Sequence, residues 1–157
     1  MTNHEKYMAI AIEEAKAGAA MGEQPFGAVV TRGEEVICRA RSLKVGTFDT
    51  TAHSETLAIK YATQKLRQRT LPDCVFYATC EPCPMCLGAI LNAGISTLVI
   101  GARKHQVRPF ATRAFNFKDY SVESFAEMVG WDLTVINGVL NDQCVALYAN
   151  SAVELTR

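Results

Sequence analysis

Apolar positions along the chain change period several times, and the changes mark the elements. Over residues 5–18, Tyr7, Met8, Ile10, Ala11, Ile12 and Ala15 recur near a 3.6-residue spacing with charges between them, which predicts an amphipathic helix. Residues 26–30 and 35–40 are short apolar-rich runs around the turn Thr31-Arg32-Gly33-Glu34, the pattern of a β-hairpin. Residues 41–51 read as a loop. Residues 52–66 return to the helical period, with Leu57, Ala58, Tyr61, Ala62 and Leu66 on the buried side and Thr51 as N-cap. Residues 74–79 form a buried strand. Pro84 suits the first position of a helix reaching Ala93, and Gly94 beyond it suits a left-handed cap. A strand at 97–101 follows, then a long irregular stretch over 102–120. A short helix at 122–128, a strand at 133–136 and a last helix capped by Asn141 complete the chain.

The predicted order is α-β-β-α-β-α-β-α-β-α. Strands alternating with helices after a hairpin imply an α/β fold, three layers deep (α/β/α) around a mixed sheet. The length of 157 residues suits one domain, residues 1–157, with a sizeable core. Hydrophobic residues make up 49% and charged residues 20%, ordinary for a globular chain. Sixteen basic residues balance sixteen acidic ones, so no global field favours nucleic acid or an anionic membrane. No apolar run is long enough to span a bilayer. The start Met1-Thr2-Asn3-His4-Glu5-Lys6 lacks a secretory pattern, and the expected location is cytoplasmic.

Six cysteines are present, and without an export pattern a disulfide framework is not expected. Cys38, Cys74 and Cys144 lie in apolar runs and read as small buried hydrophobes. Cys83 and Cys86 are different. They stand in Thr79-Cys80-Glu81-Pro82-Cys83-Pro84-Met85-Cys86, and upstream lies His53-Ser54-Glu55. One imidazole and two thiolates give a metal three ligands and leave a fourth position for water, the arrangement of a catalytic site. Cys83 and Cys86 are one helical turn apart, so both sulfurs can reach one ion. His53 and Glu55, two apart, point in opposed directions on a regular helix and can share a site only off its end, with His53 in the cap region. Each part also has a plainer reading. The C-x-x-C pair could be a redox couple. With Cys80 it could belong to a structural zinc or iron–sulfur site. His53 could be a core histidine, and Glu55 a solvated helix residue.

Together these residues form H-x-E…P-C-x-x-C, the signature of zinc deaminases acting on nucleobases. The chain resembles the cytidine-deaminase-like superfamily along most of its length, above all the branch of guanine deaminases and tRNA adenosine deaminases. Pro25-Phe26-Gly27-Ala28-Val29, Asp49-Thr50-Thr51-Ala52-His53-Ser54-Glu55 and the run from Glu81 to Ile90 carry the resemblance. It implies a five-stranded sheet between helices, one zinc ion per chain on His53, Cys83 and Cys86, and usually a homodimer. Glu55 would move protons between water, the ring and the leaving amine. Phe26, Ser42, Ala52, Ser54 and Pro82 would line the substrate. Two positions depart from the pattern: Ser54 stands where the family usually has alanine, and Ser42 where it usually has a substrate-binding asparagine. The expected function is hydrolytic deamination of a free base, nucleoside or related amino-heterocycle, with a guanine-type purine first. Adenosine in tRNA and cytosine are the alternatives within enzymes. A non-catalytic zinc-binding interaction module is the alternative of another class.

Residues 102–120 add a further expectation. Arg103, Lys104, Arg108, Arg113 and Lys118 face one acid, Asp119, and Phe110, Phe115, Phe117 and Tyr120 are interleaved with them. Such a stretch serves as a wall over a small base, as an RNA surface, or as a solvated or dimer-contact loop.

Overall fold

The computed structural model describes residues 1–111 and 117–156. Arg113 and Phe115, singled out above, lie outside the described residues. Helix α1 spans Asn3–Ala20, opened by a capping box between Thr2 and Glu5. Strands β1 (Gly27–Arg32) and β2 (Glu35–Arg41) form the hairpin. Next come α2 (Lys44–Thr47), α3 (Ser54–Leu66), β3 (Cys74–Cys80) and α4 (Pro84–Asn92). Strand β4 (Thr97–Ala102) leads into α5 (Lys104–Val107) and a 3-10 turn at Arg108–Phe110. The chain continues through α6 (Val122–Met128), β5 (Thr134–Asn137) and α7 (Asn141–Ala149).

The five strands form one mixed sheet in the order β2-β1-β3-β4-β5. Strand β1 is antiparallel to both neighbours, while β3, β4 and β5 run parallel. Alternation along the strands sorts side chains onto two faces. Ala28, Val30, Phe76, Ala78, Leu98 and Ile100 join the core beneath α3, α4 and α6. Val29, Tyr77 and Val99 join the core beneath α1 and α7, with Tyr7, Met8, Ile12 and Tyr148. Each large side chain so buried stabilises the fold by about 1.5–3 kcal/mol. The three-layer expectation is therefore met.

Two contacts fix the layers closely. A Cβ on Gly27 would stand 1.9 Å from the Ala11 carbonyl oxygen, so only glycine lets α1 press onto the start of β1. Glu14 is buried on α1 and takes hydrogen bonds from Arg39 at 2.5 Å and Arg41 at 2.8 Å, tying that helix to β2.

Several local expectations are corrected. The 41–51 loop contains α2, and the 102–120 stretch contains α5 and the 3-10 turn. Four-residue helices are too short to show a period. Helix α3 is capped by His53, with Thr51 lying outside it. Leu140, at φ 51°, is the N-cap of α7. Asn141 is that helix's first residue, and its amide donates to the Gly101 carbonyl at 2.8 Å.

Candidate active site

Strand β3 ends at Cys80, and its continuation, Glu81 and Pro82, delivers Cys83 to the N-cap of α4. Pro84 follows at the first helical position, where its missing N–H costs nothing. Cys86 lies one turn into the helix and is fully buried. From the other direction, the exposed 43–51 segment delivers His53 to the N-cap of α3. Side chains at these two caps project off the helix ends, and the ends meet. His53 Nδ1 stands 3.3 Å from Cys86 Sγ and 3.7 Å from Cys83 Sγ. The three donor atoms lie within 4.8 Å of one another, and all three residues are buried, a group able to hold a metal ion. Hydrogen bonding with Cys86 pulls the Cys83 thiol down; burial opposes this and His53 assists, leaving it at about 4. The thiolate that a metal requires is thus the favoured form.

Glu55 is the second residue of α3, buried, and outside the three-atom group. The Ser54 hydroxyl donates to its Oε1. Ser42 is fully buried, its N–H donating to the Phe26 carbonyl at 3.3 Å, and the next residue, Leu43, donates to the Ala52 carbonyl at 3.0 Å. Those bonds bring Phe26, Ser42 and Ala52 together one residue before His53. Ser42 Oγ is the one buried side-chain oxygen without a hydrogen-bond partner among the described residues. The Phe26 ring lies 5.1 Å from the Tyr148 ring, packed in the core beneath α1 and α7. Cys80 is buried in that same core and stands apart from the His53 group.

Residues 2–132 match the MafB19-like deaminase family. The chain belongs to that family. A tRNA-specific adenosine deaminase of Haemophilus influenzae is 35% identical over 141 residues, covering 89% of this chain and 78% of that one. A guanine deaminase of Bacillus subtilis is 42% identical over 89 residues, covering 56% of this chain and 57% of that one. The solved guanine deaminase from Nitrosomonas europaea superposes with a TM-score of 0.81 at 26% identity, covering 94% of this chain and 83% of that one. The sheet and its helices match the cytidine-deaminase-like α/β fold of these neighbours.

This MafB19-like deaminase carries a support that sequence reasoning missed. Glu81 is buried and accepts from Arg103 Nη1 at 3.1 Å, the Lys104 N–H at 3.0 Å and the Val122 N–H at 3.1 Å. Arg103 reaches on to Glu123 with two guanidinium nitrogens and to Asn137. Tyr120 donates its hydroxyl to the Pro82 carbonyl. Burial pushes the Tyr120 phenol well up, and the negative charge on Glu81 adds to this, so it remains a donor. These groups clamp the deaminase's Glu81-Pro82-Cys83 turn from β4, α5 and α6. Only the glutamate's place beside Pro82 and Cys83 hints at this in the sequence. Among the described residues of this MafB19-like deaminase, no helix is long and apolar enough to cross a membrane.

Proposed function

We propose that this chain is a zinc-dependent hydrolytic deaminase and that its substrate is adenosine carried in RNA. One observation supports the reaction class: three ligand atoms converge where two helix ends meet, with a buried carboxylate beside them and outside the group. The residues fit zinc. Bonds of about 2.0 Å to nitrogen and 2.3 Å to sulfur in a tetrahedron put the two donor types about 3.5 Å apart. The separations here are 3.3 and 3.7 Å. His53, Cys83 and Cys86 would hold one zinc per chain, which when bound would lower the pKa of a water to about 7.

Glu55 does the proton work. Its place at the second position of α3, off the helix end and beside His53, lets it accept a proton from water and pass it to a ring nitrogen. The hydroxide left behind adds to the amino-bearing ring carbon. Glu55 then moves the proton of that new hydroxyl to the amine, and the C–N bond breaks as ammonia leaves and the carbonyl forms. The Ser54 hydroxyl holds one carboxylate oxygen in place. Burial of His53, Ser54, Glu55, Cys83 and Cys86 keeps bulk water from the exchange. Phe26, Ser42, Ala52 and Pro82 are proposed as the wall against which the ring sits. The unpartnered Ser42 hydroxyl is suited to one hydrogen bond with it.

Likeness to a tRNA-specific adenosine deaminase over 89% of this chain supports the RNA reading. A second reading, free guanine, is supported by the 94% overlap with a guanine deaminase structure. The test offers the zinc-loaded protein unmodified tRNA and, separately, guanine. Inosine is read by mass spectrometry and ammonia by a coupled assay, with Glu55→Gln as control. Glu55-dependent inosine is the expected result. Ammonia from guanine alone would select the second reading. Silence from both, with one zinc bound per chain, would overturn the enzyme proposal.

A further inference from the structure

Beside the candidate active site lies a cavity of about 410 Å³, whose lining includes Lys104, His105, Arg108, Phe117, Lys118 and Tyr120. It touches the candidate site through Tyr120, whose hydroxyl holds the Pro82 carbonyl next to Cys83. Arg103, also in the lining, is spent on Glu81 and Glu123, but three other cations around the cavity are not consumed by the fold. Among the described residues, Lys104, Arg108 and Lys118 take no part in the ion pairs, which join Arg39, Arg41 and Arg103 to their acids. Glu81, the one acid among the described lining residues, is already bonded to Arg103 and to the N–H groups of Lys104 and Val122. Asp119 lies next to Lys118 in the chain and is exposed. Phe117 gives the concavity an apolar wall, its ring 5.4 Å from the Tyr120 ring and edge-on to it.

Three unpaired cations around one concave surface repel one another and favour a polyvalent anion. An aromatic wall beside them suits a neighbouring base or sugar. We infer that this cavity binds a phosphate group of the substrate, so that the reacting base arrives on a nucleotide or polynucleotide. The inference rests on the reading of Glu55 and its neighbours as a deaminase site. The phosphate has two possible sources, a mononucleotide or an RNA strand, with one chemistry. A free base has no group for this cavity.

The test compares the zinc-loaded wild type with Arg108→Ser, Lys118→Ser and the double variant. Arg108 and Lys118 are exposed, so folding is not at stake. Binding of a short labelled single-stranded RNA is followed by fluorescence anisotropy between about 50 and 200 mM salt. Adenosine 5′-monophosphate and inorganic phosphate serve as competitors, and deamination of adenosine and of the RNA is measured in parallel. Each lost phosphate contact is expected to weaken RNA binding about tenfold and to flatten the log–log salt slope by about 0.7. Turnover of free adenosine is expected to stay unchanged. Displacement of the RNA by the mononucleotide at concentrations where inorganic phosphate does not compete assigns a mononucleotide site, and RNA binding that neither competitor displaces assigns a strand. Unaltered RNA affinity and salt slope in the double variant would overturn the cavity's role, even with deamination intact. Loss of RNA binding in the variants of a protein that deaminates nothing would keep the cavity and remove the deaminase reading.

Discussion

His53 and Cys83 occupy the same position on two different helices. Each is an N-cap with extended backbone, at φ/ψ of −72°/156° and −70°/168°. The His53 ring makes no capping bond to its own helix, and within α4 the Cys83 sulfur bonds only to Cys86, in the first turn. A cap normally spends its side chain on the helix's free N–H groups. Here both caps turn theirs toward each other. The segments that deliver them differ. Cys83 arrives from a central parallel strand, and its turn is held by Glu81, Arg103 and Tyr120. His53 arrives from an exposed segment with Phe48 at its tip, 97% exposed and at φ 52°, and with a local turn in which Asp49 accepts from Thr51. The two sides divide their work: the half around Cys83 is built for fixed geometry, and the half before His53 for variation.

Four experiments bear on that division, in decreasing order of effect. Removing either cap, by His53→Ala or Cys83→Ala, is expected to abolish zinc retention and turnover alike. Metal analysis after dialysis reads this, and stoichiometric zinc in either variant would break the equivalence of the two caps. Glu81→Gln is expected to destabilise the fold by about 3 kcal/mol, because Arg103 loses a buried charged partner. Asp49→Asn, on the exposed side, is expected to leave the thermal midpoint where it is. Equal losses in those two variants would refute the asymmetry.

The third experiment uses acid. Hydrogen bonds from Arg103 pull the Glu123 carboxyl below its ordinary value of 4.5, more than its partial burial raises it. A carboxyl depressed in the folded state stabilises the protein fully above 4.5. That contribution fades as pH falls through 4.5 toward the folded value. Between about pH 5 and 3, the melting temperature of Glu123→Gln should therefore fall less steeply than that of wild type. Parallel curves would remove Glu123 from the clamp. The smallest effect is expected for Phe48→Gly. Glycine adopts positive φ without strain, so stability should rise by less than about 1 kcal/mol, as read by denaturant titration. A clear loss would mean that the exposed ring has a structural role.

Local signals were legible where one residue type has one conformational use. Pro84 stands at the start of α4, and Gly94, at φ 78°, just beyond its cap. The hairpin and the parallel strands followed from short apolar runs, the hairpin's two runs meeting at a Gly-containing turn. The demand that His53 and Glu55 meet off a helix end is met by His53 at the cap. The cap itself was misplaced at Thr51, since cap rules look for a side-chain acceptor of N–H bonds and a metal-directed imidazole is none. The clamp was invisible for another reason. Glu81 meets Arg103 and Val122 at separations of 22 and 41 residues, and no local pattern encodes such partners. Gly27 stood in a run that carried the resemblance, but nothing local told of its packing role, because the need for it lies in α1.

The tight seat of α1 on Gly27 bears on how this enzyme can be re-engineered. Any residue larger than glycine there drives a wedge between helix and strand, beside Phe26 on the proposed ring wall. That side of the wall is closed to single-step change. Residues 42–46 are tied to Phe26, Glu23 and Thr156, whereas residues 47–51 are exposed and bond only to near neighbours among the described residues. A library meant to shift substrate preference therefore belongs in 47–51, with residues 25–28 left as they are.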